Sequence, residues 1–95
     1  MMDVRQFWHV NTHHIAEADA QLLSNEAVLG VDETAESYWL RMPTNWGADL
    51  RDHLQLAGYT PAMLHLLSIA HSHNIALIRL SGDGPTYPFL NHFHW

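Results

Sequence analysis

Residues 58–85 leave this chain the fewest choices. Gly58 is followed at once by Tyr59-Thr60-Pro61. A glycine just past a helix end stops one helix, and a threonine N-cap with proline at the first helical position opens the next. The helix so opened carries Met63, Leu64, Leu66, Leu67, Ile69 and Ala70 and runs to Asn74. That apolar arc is too wide for a surface helix, so it must be the most buried one. Residues 75–80, Ile-Ala-Leu-Ile-Arg-Leu, follow directly. A run this apolar reads as a central strand covered on both faces. Ser81-Gly82-Asp83-Gly84-Pro85 then forms a turn.

The upstream pattern supplies the partners. Residues 6–11 are short, aromatic and β-branched, a strand. Asn11 and Thr12 offer an N-cap, and Ile15, Ala18, Leu22 and Leu23 follow at helical spacing, with Glu17 and Asp19 near the positive end of the helix dipole. Residues 27–31 read as a second strand, 32–36 as a polar hairpin loop, and 37–42 as a third strand ended by Pro43. On that strand Trp39 and Arg41 share one face, and Tyr38, Leu40 and Met42 the other. Thr44 or Asn45 caps a helix with Leu50, His53, Leu54 and Ala57 on one stripe. The order is β-α-β-β-α-α-β. We therefore expect an α+β two-layer sandwich, a four-stranded sheet with three helices on one face.

Size and composition agree with one domain over residues 1–95, with 86–95 an aromatic-rich C-terminal tail. A protein of 95 residues buries roughly 60–65% of its unfolded surface, enough for one modest core. There are no cysteines, which removes disulfides, thiolate metal sites and cysteine nucleophiles. No apolar run approaches the roughly 18 residues of a membrane span. The start, MMDVRQFWHV, lacks a basic stretch followed by an apolar one, so we expect no secretory signal and a cytoplasmic location. Ten acids face four bases, all arginine: Arg5, Arg41, Arg51 and Arg79. Without a cationic cluster the protein cannot grip a phosphate backbone, so direct nucleic-acid binding is not expected.

Four patterns could carry chemistry. The helix pair LRDHLQLAGYTPAMLHLLSIAHSHN has the outline of a helix-turn-helix, but its second helix has neither Arg nor Lys to present to bases and reads as a packed αα-hairpin. Nine histidines invite a metal reading. On an extended tail His92 and His94 share a face and could chelate. Zinc needs three or four converging ligands, so a further one must come from His9, His13, His53 or Asp83, His13 for preference. His71 and His73 on a helix point about 200° apart and cannot chelate together. This set, His92, His94 and His13 with zinc, is the alternative to a protein without a cofactor. Serines and histidines are present, yet no GxSxG elbow or phosphate loop is, so no catalytic residue is assigned. Lastly, four tryptophans in a small domain exceed what one core readily buries, and aromatic area rimmed by acids is typical of protein interfaces.

The stretch GYTPAMLHLLSIAHSHNIALIRLSGDGP, preceded by THHIAEADAQLL and followed by an aromatic end in FHW, resembles a small domain-of-unknown-function family carried on proteobacterial plasmids and genomic islands. The resemblance covers most of the sequence and implies an accessory gene of a mobile element. It brings no catalytic residues. Accessory genes of this kind encode small acidic proteins that block host defence, of anti-restriction or anti-CRISPR type. We therefore expect a non-enzymatic, protein-binding module whose partner is a nucleic-acid-handling complex with a basic channel. The expected contacts are Asp32, Glu33, Glu36 and Trp39. A homodimer through the aromatic tail is a further expectation.

Overall fold

Val10, Leu40, Ile78 and Leu80 are fully buried, and strand pairing brings all four to one face of a sheet. The structure, a computed structural model, describes residues 6–23, 30–33, 37–43 and 45–93. Its elements are β1 (Gln6–Asn11), α1 (Glu17–Leu23), β2 (Gly30–Glu33), β3 (Ser37–Arg41), α2 (Ala48–Ala57), α3 (Pro61–Ser72) and β4 (Ile75–Ser81). A single 3-10 turn, Thr12–His14, joins β1 to α1. The α+β class stands.

The strands lie in the order β1-β4-β3-β2. β4 is central, as its apolar run required, and it runs parallel to β1 and antiparallel to β3. The expected four-stranded layer needs correction. Among the described side chains the core draws on three strands only, β1, β4 and β3. β2 is a four-residue ribbon hydrogen-bonded along the outer edge of β3. It is described over 30–33 and so takes Asp32 and Glu33, expected in the hairpin loop, while 27–29 of the expected strand lie outside the described residues. Residues 24–29 and 34–36 lie outside the described residues. Short, polar Asp32-Glu33 suits an edge position, where charge discourages further pairing.

β4 is not covered on both faces either. Ile78 and Leu80 are buried, whereas Leu77 and Arg79 on the opposite face are only half-buried. The helices lie on one side. α3 supplies most of that layer, burying Ala62, Met63, Leu64, Leu66, Leu67 and Ala70. α2 buries little beyond Leu54: His53 and Ala57, expected on its inner stripe, are exposed, and Leu56 is 89% exposed. It starts after Gly47 with no side-chain cap, and ends as expected at Gly58 in the left-handed conformation, φ 110°.

One buried carboxylate ties two helices together. Asp19 reaches back to the Ala16 N–H (3.0 Å), as the third residue of a capping box does. It also accepts the Thr60 N–H (2.8 Å) and the Thr60 hydroxyl (2.5 Å) at the start of α3. Thr60 thus holds the N-cap position, but its side chain bonds to Asp19 rather than to its own helix. A negative charge there faces the positive ends of both helix dipoles.

The C-terminal segment folds back over the end of β1. Asn11 is the anchor. Its backbone N–H donates to the Pro85 carbonyl (3.1 Å) and its side-chain amide to the carbonyls of Gly82 (3.2 Å) and Gly84 (3.0 Å). Gly84 lies so close to β1 that a Cβ would meet the Val10 carbonyl oxygen at 2.5 Å. His14 is the second anchor, buried under the tail. Its Nε2 accepts the Tyr87 N–H (2.8 Å), so Nδ1 carries the proton and donates to the Asn91 carbonyl (2.6 Å). Leu90 completes the core from this segment.

Candidate functional site

Among the described residues, the face of the sheet away from the helices carries aromatic and cationic side chains. Residues directly opposite across strands share a face. The register therefore aligns Phe7 with Leu77, His9 with Arg79, and Arg79 in turn with Trp39, while Leu77 faces Arg41. On this face β1 contributes Phe7 and His9, β4 contributes Leu77, Arg79 and Ser81, and β3 contributes Trp39 and Arg41.

The rings of Phe7 and Trp39 are 5.7 Å apart, centre to centre. Their strands are not neighbours. β4 lies between them, so their backbones are about 10 Å apart, two strand spacings. The two rings must lean toward each other across β4, above the Leu77–Arg79 row. The Arg79 guanidinium carbon lies 5.2 Å from the centre of the Trp39 ring, a cation–π contact. Phe7 is 51% exposed, so the arch faces solvent.

Beside it, His9 Nε2 and Ser81 Oγ are 2.7 Å apart. A histidine on a serine hydroxyl is the geometry of a base and its nucleophile. Here the serine is only 3% exposed, held at the end of β4 beside Asn11. A substrate carbonyl has no approach to a hydroxyl so covered, and the pair ties β1 to β4.

The residues expected from sequence are divided by the structure. Trp39 stands on the helix-free face, and Asp32 is its register partner on β2. Glu33 pairs instead with Tyr38, which packs against the core, and Glu36 lies outside the described residues. Of the histidines, His13 and His92 make an edge contact with ring centres 5.9 Å apart, and the Phe93 N–H donates to the His13 carbonyl (2.7 Å). His14, not considered as a ligand, is as close to His92. Both of its nitrogens are engaged by backbone, so it adds no ligand. Among the described residues no three His, Asp or Glu side chains converge to hold a metal, and His94 lies outside them.

Phe7 and Arg79 were not singled out from sequence, and His9 was considered only as a further metal ligand. Arg79 carried the trace: it is the one charge within an apolar strand. That it meets Phe7 and His9 depends on parallel pairing between segments some seventy residues apart, which no local pattern shows.

A family model described as the C-terminal domain of a family of unknown function, DUF5983, matches residues 7–95. The protein belongs to this family. No curated protein and no solved structure matches it. The match takes in every described helix of the DUF5983 domain and the whole Phe7–Trp39–Arg79 arch. No helix among the described residues is long and apolar enough to cross a membrane.

Proposed function

We propose that this DUF5983 domain is a non-enzymatic protein-binding module that engages its partner through the helix-free face of the sheet. The observation that carries the reading is the aromatic arch over Arg79. Phe7 and Trp39 expose apolar area around a cation, the composition found at energetic centres of protein interfaces, where aromatic residues and arginine dominate. Asp32 is opposite Trp39 in register, and the sequence adds Glu33 and Glu36 close by, which we include in the proposed contact.

The acidic balance supports a finer version: an accessory module of a mobile element that blocks a nucleic-acid-handling host defence complex, of anti-restriction or anti-CRISPR type. The edge acids would set orientation and on-rate, and the arch would supply affinity.

The test is a photo-cross-linking amino acid at position 7, with position 56 on α2 as control. Both side chains are exposed, but they lie on opposite layers. A discrete adduct from position 7 alone is expected in cells of the source organism, lost when Trp39 is changed to Ala. Reversing Asp32, Glu33 and Glu36 to Lys should slow its formation. No adduct from position 7, or the same adduct from 56, overturns the reading.

A further inference from the structure

We propose that Arg79 is the receptor for a single carboxylate of the partner, either an Asp or Glu side chain or a C-terminal carboxylate, delivered beside an apolar or aromatic group. The inference rests on the helix-free face being the contact surface, and adds the chemistry of what fills it.

The starting observation is an unsatisfied donor. Arg79 Nε is buried and has no hydrogen-bond partner. Buried polar atoms in folded proteins are nearly always paired, so each exception calls for a cause. The cause here is the roof: Phe7 and Trp39 meet over β4 and screen the inner part of the guanidinium from water. None of the acids whose side chains the structure describes, Glu17, Asp19, Asp49, Asp52 and Asp83, hydrogen-bonds or ion-pairs with Arg79. Folding has placed a permanent cation under an aromatic roof with its Nε–H unpartnered. Phe7, half-exposed at the start of the edge strand, is the part of that roof that a rotamer change can move.

The shape and charge of the site select the ligand. A guanidinium fork matches a carboxylate in a plane with two parallel hydrogen bonds, and the flanking rings accept a flat or aliphatic group. The charge count separates a carboxylate from a nucleic-acid strand. Phosphodiesters are gripped by rows of cations. Arg51 is on exposed α2 in the other layer, Arg41 has interactions of its own, and Arg5 lies outside the described residues. One guanidinium with its Nε–H unpartnered, on a protein of net charge −6, suits one negative charge and repels a polyanion.

The test is an NMR titration of the intact protein, following the Arg79 Nε–H and Trp39 indole N–H resonances. The probes are N-acetyltryptophan, with a terminal carboxylate, and N-acetyl-Trp-Glu-amide, with a side-chain carboxylate. N-acetyltryptophan amide has no carboxylate, and AMP carries a phosphate. We expect a saturable shift of both resonances with a carboxylate probe, and the tighter of the two identifies the source. The amide and AMP should bind at least about tenfold more weakly, and Arg79→Gln should weaken the carboxylate probes by at least about tenfold. Equal binding of acid and amide to the wild-type protein overturns the proposal without reliance on any variant. So does the absence of a shift with both acids, and tighter binding of AMP replaces it with a nucleotide site. Cross-links from position 7 that persist undiminished in Arg79→Gln protein remove Arg79 as the anchor while leaving the face as the contact. Absence of those cross-links removes the contact reading, and the titration still reports on the receptor.

Discussion

Replacing Asp19 with Ala tests the most consequential internal contact. Asp19 is fully buried and accepts three hydrogen bonds, from the Ala16 N–H, the Thr60 N–H and the Thr60 hydroxyl. Hydrogen bonds to a charged acceptor contribute about 1.5–3 kcal/mol each, but they do not add in full when one acceptor serves all three. The Thr60 hydroxyl can turn to water, since Thr60 is only half-buried. Two backbone N–H groups at helix starts are left needing acceptors. The expected loss is about 3–5 kcal/mol. A domain of 95 residues has a total stability of about 5–14 kcal/mol, so the loss is a large share of it. Urea unfolding followed by far-ultraviolet circular dichroism and by tryptophan emission measures it. Thr60→Ala, which removes one bond of the three, should cost about 1 kcal/mol. The double variant should then lose less than the sum of the singles, by about 1 kcal/mol. A loss below about 1 kcal/mol for Asp19→Ala would show that water already solvates the carboxylate, and the α1–α3 staple would be refuted.

Other consequences are as direct. His14→Ala leaves the Tyr87 N–H and the Asn91 carbonyl without their partner, so it should cost about 2–4 kcal/mol and speed proteolytic cleavage within 85–93. In the wild-type protein, nitrogen NMR of His14 should show the neutral form with its proton on Nδ1. Gly84→Ala forces a Cβ against the Val10 carbonyl and should destabilise by about 2 kcal/mol or more, whereas Gly82→Ala, with nothing within 4 Å, should change stability by less than about 0.5 kcal/mol; thermal melts of the pair separate the two. With every histidine charged, the formal net charge runs from −6 to −6 + 9 = +3, so solubility should pass through a minimum near the sequence pI of about 5.7. Turbidity between pH 7.5 and 5 checks it, and a flat curve would count against it.

Much of the fold was legible because it is written in local chemistry. Gly58 and Thr60-Pro61 mark a helix stop and start that depend only on backbone conformations those residues favour. The apolar run of β4 required a central strand wherever its neighbours came from. The misplacements follow from the same logic. Asp32 and Glu33 look like loop residues, yet an edge strand tolerates charge because one side of it faces solvent. Asp19 was read only as an acid near the positive end of a helix dipole, because nothing near it in sequence shows that Thr60 would meet it.

By itself, the sequence determined the α+β class, the buried helix, the central strand, the acidic balance and the wealth of histidine, since each depends on spacing or on counting. Tertiary structure alone decided what those residues do. It made His14 a clamp for the tail, whereas counting histidines had suggested metal ligands. It left the Arg79 Nε–H without a partner beneath two aromatic rings. The reason is that these arrangements depend on parallel pairing of β1 with β4 and on the return of the tail across β1, contacts between residues about seventy apart. Their formation is governed by which surfaces the whole molecule can bury together, and no stretch of sequence carries that information alone.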